Sequence, residues 1–296
     1  MMKQKLICII GQTATGKSDI AVAIAQKFNG EVVSADSRQV YRGMNLGTGK
    51  ITKQEMKGIP HHMIDVITPK RAFSAGRFQK EGKKIIESIW KRNKLPIVCG
   101  GTGFYVSVLL DGLILPDVKK DIKLRNTLKQ KNTEELFHIL SKLDPKRAKK
   151  IDHKNPHRLI RAIEIAKTLG NVPELKKNPV RADTLFIGIK RNDLKKRIHV
   201  RLLKRVRKGM IYEIQNLHDS GITWKRLESF GLEYAYGSLF LQKQLDKKSF
   251  LDELERAIIQ YAKRQMTWFK KNTRIIWVSK KQEALKLARL FMKQVR

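Results

Sequence analysis

Gly11-Gln12-Thr13-Ala14-Thr15-Gly16-Lys17-Ser18 fits G-x-x-x-x-G-K-S, the pattern of a phosphate-binding loop, and the fold expectation follows from it. The stretch stands between an apolar run, Leu6–Ile10, and the segment Ser18–Phe28, where Ile20, Ile24 and Phe28 recur at helical spacing. A strand, a glycine-rich turn and a helix in that order gather successive backbone N–H groups into one concavity. The positive end of the helix dipole adds to them. Lys17 is expected to reach the outer phosphates of a bound diphosphate, and the Ser18 hydroxyl to hold Mg²⁺.

The flanking sequence alternates strands and helices, which predicts a parallel α/β sheet. Glu31–Ser34 reads as a second strand ending at Asp36, and Met63–Val66 as a candidate third. Ser74–Lys91 reads as a helix with Ser74 at its N-cap, stopped before Pro96. Pro96–Cys99 is a further strand, running into Gly100-Gly101-Thr102-Gly103. From Asp117 to Val180 the chain is charged, helical and nearly strand-free, with helices expected at Asp121–Lys131, Glu134–Lys142 and Pro156–Leu169. Strands resume at Thr184–Ile189 and Arg274–Val278. The expected fold is therefore α/β, a P-loop NTPase-like parallel sheet with a mostly helical insertion. Residues 1–116 and 181–296 would form the core, and 117–180 the insertion. Asp193–Leu217 reads as one long helix, with Leu194, Ile198, Leu202, Val206 and Met210 at four-residue steps.

Charge narrows the function. Among 296 residues, 63 Lys+Arg face 27 Asp+Glu, a formal net charge of +36. Lys190–Met210 alone carries ten basic residues against one acid, Asp193. A polyanionic partner such as nucleic acid accounts for such a field, whereas a small metabolite needs none of it; a merely lysine-rich solvated surface is the competing explanation. No run approaches the roughly 18 apolar residues of a membrane span. Cys8 and Cys99, each in an apolar run, make neither a disulfide framework nor a zinc site and read as buried strand cysteines. A soluble cytoplasmic protein is expected.

The loop alone does not say which diphosphate binds. Asp36, within Asp36-Ser37-Arg38-Gln39, and Asp65 are rival acids for a metal site. His61-His62 lacks a third ligand, and adjacent side chains diverge, so a structural use is favoured. A P-loop kinase of a small molecule or nucleoside would leave the charge without a purpose. A non-catalytic RNA-binding ATPase would need a water-positioning acid after a strand and helicase-type motifs, which are not found.

Seven segments, in order, resemble the tRNA dimethylallyltransferase (isopentenyltransferase) family. They are Gly11–Ser18; Asp36–Tyr41 with Met44; Gly47–Lys50; Pro60–Asp65; Gly100–Tyr105; Asn155–Glu164; and Tyr261–Phe269. They span nearly the whole chain. Gln12, Thr15, Gly49, Phe104 and Arg205 stand where the family usually has Pro, Ser, Ala, Leu and Met. No Cys/His extension follows, as in the short bacterial form.

The resemblance implies transfer of a dimethylallyl group from dimethylallyl diphosphate to N6 of the adenosine 3′ of the anticodon, with Mg²⁺, on the tRNA anticodon stem-loop; a monomer is the default expectation. It implies Asp36 as the base for a poorly nucleophilic amine, with a metal ligand or cap as the alternative. Lys17 and the loop Gly11, Gln12, Thr13, Ala14, Thr15, Gly16 and Ser18 would hold the diphosphate. Thr102 would contact substrate, cap the following helix, or both. Arg197 and Arg201, one turn apart, either reach the diphosphate or form a solvated stripe. Contacts to tRNA are implied for Asp36, Ser37, Arg38, Gln39, Thr102, Arg125, His157, Arg158, Leu159, Ile160 and Arg161. Tyr261, Trp268 and Phe269 stack bases or, more in keeping with their helical spacing, pack in the core.

Overall fold

The computed structural model describes residues 4–294. Its strands are β1 (Lys5–Gly11), β2 (Gly30–Ser34), β3 (His61–His62), β4 (Leu95–Gly100), β5 (Asp183–Ile189) and β6 (Ile275–Val278). They pair in parallel as one six-stranded sheet in the order β3-β2-β4-β1-β5-β6. The run Leu6–Ile10 is continuous rather than alternating because β1 lies between β4 and β5 with both faces covered. Ile7 and Ile9 are fully buried, each contributing about 1.5–3 kcal/mol.

Helices fill the connections: α1 (Lys17–Lys27), α2 (Lys53–Met56), α3 (Ala75–Lys91) and α4 (Gly103–Leu110) precede the insertion. Ser74 caps α3 by accepting from the Arg77 amide, as its position predicts. The insertion holds α5 (Ile122–Leu128), α6 (Thr133–Leu143), α7 (Pro145–Ala148) and α8 (Pro156–Leu169). After β5 come α9 (Leu194–Arg207), α10 (Met210–Asp219), α11 (Trp224–Glu228), α12 (Leu232–Leu241) and α13 (Lys247–Phe269), then α14 (Lys281–Lys293) behind β6.

The chain divides into two compact units, Met1–Gly112 with Pro179–Arg296, and Leu113–Asn178. In the first, Ile20 and Ile24 of α1 and Ala284, Ala288 and Phe291 of α14 bury against Ile7, Ile9, Ile97 and Ile187 of the sheet. A second core in that unit joins Val40 and Met44 to Ile198, Leu202, Ile214, Tyr234 and Ile258. The Leu113–Asn178 unit has its own core of Leu128, Leu136, Leu140, Leu159 and Ile163.

Two expectations are corrected. Met63–Val66 is not a strand: β3 ends at His62, and Met63 and Asp65 have φ of 62° and 53°, left-handed values that turn the chain. Asp193–Leu217 is two helices, because Gly209, at φ 96°, ends the ladder after α9 and α10 starts anew. No helix of the described residues is long and apolar enough to cross a membrane.

Candidate active site at the carboxyl ends of the strands

In an open parallel sheet, ligands bind where loops leave the carboxyl ends of the strands. Here β1, β2, β4 and β5 end at Gly11, Ser34, Gly100 and Ile189. They deliver the phosphate loop, Asp36–Gln39, Gly101–Gly103 and Lys190–Arg191 to one edge.

The phosphate loop braces itself from within. The Gln12 carbonyl accepts from Thr15 Oγ1 (2.9 Å) and from Lys17 Nζ (2.6 Å). The side chains of Gln12 and Thr15 are buried, and Gln12 Nε2 donates to the Ala262 carbonyl of α13 at 3.0 Å. Both side chains are thus taken up within the protein, which leaves only their backbone groups to face a ligand. Burial lowers the Lys17 ammonium to about 8; Arg201 pushes the same way, while Cys99 and Asp36 oppose it. Ser18 is exposed at the start of α1.

Asp36 is half-buried. Its Oδ1 accepts from the Arg38 amide (2.8 Å) and the Gln39 amide (3.4 Å), closing the turn. Oδ2 makes no hydrogen bond to the described residues. The capping role and an open carboxylate oxygen thus coexist in one side chain. Thr102 occupies the N-cap position of α4 without capping it; its Oγ1 instead accepts from the Ser37 amide at 3.2 Å. Gly100 allows the two loops to touch, since a Cβ there would overlap the Ala35 carbonyl oxygen.

Arginines close the edge from β5 and α9. Arg197 Nε donates to the Ala14 carbonyl (2.7 Å) and Arg191 Nε to the Thr15 carbonyl (3.3 Å), so both reach the phosphate loop. Arg201 donates to the Gly49 carbonyl at 3.0 Å; burial lowers its pKa from the usual value, with Arg205 adding to that. These are not a solvated stripe. Arg191 escaped the sequence reading, although it follows β5, whose Ile189 pairs with Gly11. Gln265 escaped it too: it is buried and joins the Thr13 amide to the Gly101 carbonyl.

Of the rival acids, Asp65 pairs with Lys50, and His62 pairs with Glu31 at 2.7 Å. Burial raises Glu31, but hydrogen bonds from Lys94, His62 and Arg92 outweigh it and hold the carboxyl at about 2. Of the aromatic trio, Phe269 is core, but Trp268 is 38% exposed and lies edge-on to Phe104. The core assignment is corrected for Trp268, which lies off the buried stripe of α13 that runs through Gln265 and Phe269.

The Leu113–Asn178 unit holds the other expected residues. Leu159 and Ile160 are buried in its core, so their side chains are withdrawn as RNA contacts. Glu164 is 1% exposed and takes a two-pronged ion pair from Arg125 (2.8 and 2.7 Å). Arg161 pairs with it as well and donates to the Val118 carbonyl (3.0 Å). Burial raises Glu164, yet the bonds from Arg125, Arg161 and the Asp121 amide hold it at about 2. Among the described residues the exposed Arg158 side chain meets only Asp152, at 3.3 Å, and His157 is exposed on the first turn of α8.

Residues 39–272 match the family model described as IPP transferase. A "tRNA dimethylallyltransferase 2" of Treponema denticola is 43% identical over 94% of this chain and 97% of its own. A "tRNA dimethylallyltransferase 1" of Syntrophus aciditrophicus is 40% identical over 94% of each. Among solved structures, the full-length tRNA isopentenylpyrophosphate transferase of Bacillus halodurans aligns with a TM-score of 0.73 at 35% identity, covering 98% of this chain and 96% of that one. A eukaryotic dimethylallyltransferase acting on tRNA aligns with a TM-score of 0.79 at 28% identity, covering 99% and 81%. Matched from before β3 to the end of α13 and related over nearly its whole length, the chain belongs to the IPP transferase family of tRNA dimethylallyltransferases.

Proposed function

We propose that the chain transfers the dimethylallyl group of dimethylallyl diphosphate to N6 of the adenosine 3′ of the anticodon in tRNA. The observation that carries this is Asp36. It has one oxygen fixed in a turn and the other open, and its loop is tied through Ser37 to Thr102 on the same sheet edge as the phosphate loop. The N6 lone pair attacks the first carbon of the dimethylallyl group as the carbon–oxygen bond to diphosphate breaks. Asp36 Oδ2 takes the proton that N6 must lose. The departing diphosphate carries the negative charge, and the loop amides, Lys17 and Arg197 stabilise it where it develops.

Mg²⁺ fits a site in which one exposed hydroxyl, Ser18, meets phosphate oxygens and water, and it would supply further neutralisation of the leaving group. No group of three or more His, Cys, Asp or Glu able to hold a metal occurs among the described residues, so Ser18 and the substrate would carry its coordination.

The target base is stacked in a loop and has to be extruded, with Ser37, Arg38 and Gln39 beside Asp36 to receive it. His157 and Arg158, exposed on the Leu113–Asn178 unit, are proposed to contact RNA, while Arg125 and Arg161 support that unit from inside. The proposed enzyme is a monomer working in the cytoplasm. Purified protein given unmodified tRNA, labelled dimethylallyl diphosphate and Mg²⁺ should place label in the tRNA. Rapid ATP turnover with no label in tRNA would favour the kinase reading.

A further inference from the structure

Helix α13 buries one stripe: Phe250, Leu254, Ile258, Ala262, Gln265 and Phe269. Five of these are apolar. The sixth, Gln265, is 6% exposed, and a buried amide at a core position needs partners for both ends. It has them on two different loops. Oε1 accepts from the Thr13 amide at 2.8 Å, and Nε2 donates to the Gly101 carbonyl at 2.8 Å. The donor on one side and the acceptor on the other permit a single orientation of the amide. Gly101 is required beneath it, because a Cβ there would overlap Nε2. One helical turn earlier the Ala262 carbonyl takes the Gln12 side chain, so α13 grips the phosphate loop twice.

We infer that Gln265 is a positioning residue for the transfer: its amide sets the spacing between the phosphate loop, which holds the diphosphate, and the Gly101–Gly103 loop, which carries Thr102 and is tied to Asp36. The inference rests on the function proposed above. The first carbon of the dimethylallyl group hangs from the diphosphate, and the nucleophile sits with Asp36 and Thr102. The distance between the two loops is therefore the distance across the bond being made. Misplacing reacting groups by about 1 Å costs on the order of 10² in rate. Without Gln265 the phosphate loop keeps its internal bond from Lys17 to the Gln12 carbonyl, and the Gly101–Gly103 loop keeps its tie from Thr102 to the Ser37 amide, so each substrate should still find its half of the site.

The test uses the full-length protein and two variants. Gln265→Met fills the same volume without either hydrogen bond; Gln265→Glu keeps the acceptor for Thr13 and sets an anion against the Gly101 carbonyl. Single-turnover transfer at saturating tRNA and dimethylallyl diphosphate should fall about 10²-fold in Gln265→Met, with both dissociation constants within about threefold of wild type. Amide exchange at Thr13, protected in wild type, should accelerate in the same variant. A folded Gln265→Met that transfers at the wild-type rate, with Thr13 still protected, shows a packing role and overturns the inference. If Gln265→Met does not fold, Gln265→Glu, which keeps the Thr13 bond, is judged by rate and binding: loss of rate at preserved dissociation constants is expected, and a wild-type rate overturns the inference. A wild-type protein that places no label in tRNA defeats the proposed function instead, and Thr13 exchange then decides on the brace by itself.

Discussion

Thr102 Oγ1 accepts a hydrogen bond from the Ser37 amide at 3.2 Å, tying the loop after β4 to the loop after β2. Because the oxygen is used here as an acceptor, the hydroxyl proton of Thr102 remains available to a substrate. Thr102→Val keeps the shape and removes both functions, so single-turnover transfer should fall by about tenfold or more. Thr102→Ser, which keeps the hydroxyl, should stay within a few-fold of wild type. Equal rates for Val and wild type would remove Thr102 from the reaction.

Lys17 is expected to give the enzyme a pH limit. With burial holding it at about 8 against an ordinary 10.5, it is charged below pH 8 and neutral above. At fixed tRNA, kcat/KM for dimethylallyl diphosphate should fall about tenfold per pH unit above that value. Burial raises Cys99 to about 12 and pushes Tyr105 and Tyr261 upward, so these groups do not titrate in the window. Lys17→Arg, always charged, should flatten the falling limb whatever its absolute rate. Stability runs the other way. Between pH 8 and 10.5 the folded chain binds fewer protons at Lys17 than the unfolded one, so this residue's contribution to stability increases with pH there.

The arginines of the Leu113–Asn178 unit should separate into two kinds. Arg125→Ala or Arg161→Ala strips a partner from Glu164, which is 1% exposed, and should cost about 1–3 kcal/mol of stability in thermal or urea unfolding. The contribution of that cluster is present above the ordinary carboxylate value and is lost as pH falls through about 2. Arg158→Ala breaks only an exposed pair, worth at most about 1 kcal/mol. Its effect should appear in tRNA binding, flattening the log–log salt slope by roughly one unit. An unchanged slope in folded Arg158→Ala would remove that residue from the RNA interface.

Legibility in the sequence followed the physics of each element. β1 and the phosphate loop were readable because a buried parallel strand is a continuous apolar run and the loop's glycines fall at set intervals. Pro156–Leu169 was readable end to end, with Pro at its first turn and Gly170 after its last. Gly209 was passed over because the four-residue apolar steps run straight across it, Val206 before and Met210 after, while the backbone does not. Gln265 is the instructive omission. Its signal was one polar residue on an otherwise apolar stripe, but its partners, Thr13 and Gly101, lie 252 and 164 residues before it and meet it only through the strand order. Arg161 and Arg125 read as RNA contacts through the family resemblance; Glu164, three residues after Arg161 on the same helix, was within reach of the sequence as its partner, but only the fold brings Arg125 to the same carboxylate.

In the proposed transfer, Asp36 Oδ2 is the acceptor of the N6 proton. Asp36→Asn is nearly isosteric and keeps an oxygen to close the turn with the Arg38 and Gln39 amides, but it cannot take the proton. Single-turnover transfer under saturating tRNA and dimethylallyl diphosphate should fall by roughly 10²–10⁴ while the dissociation constant for tRNA stays within about twofold. Transfer within a few-fold of wild type in folded Asp36→Asn would contradict the assignment.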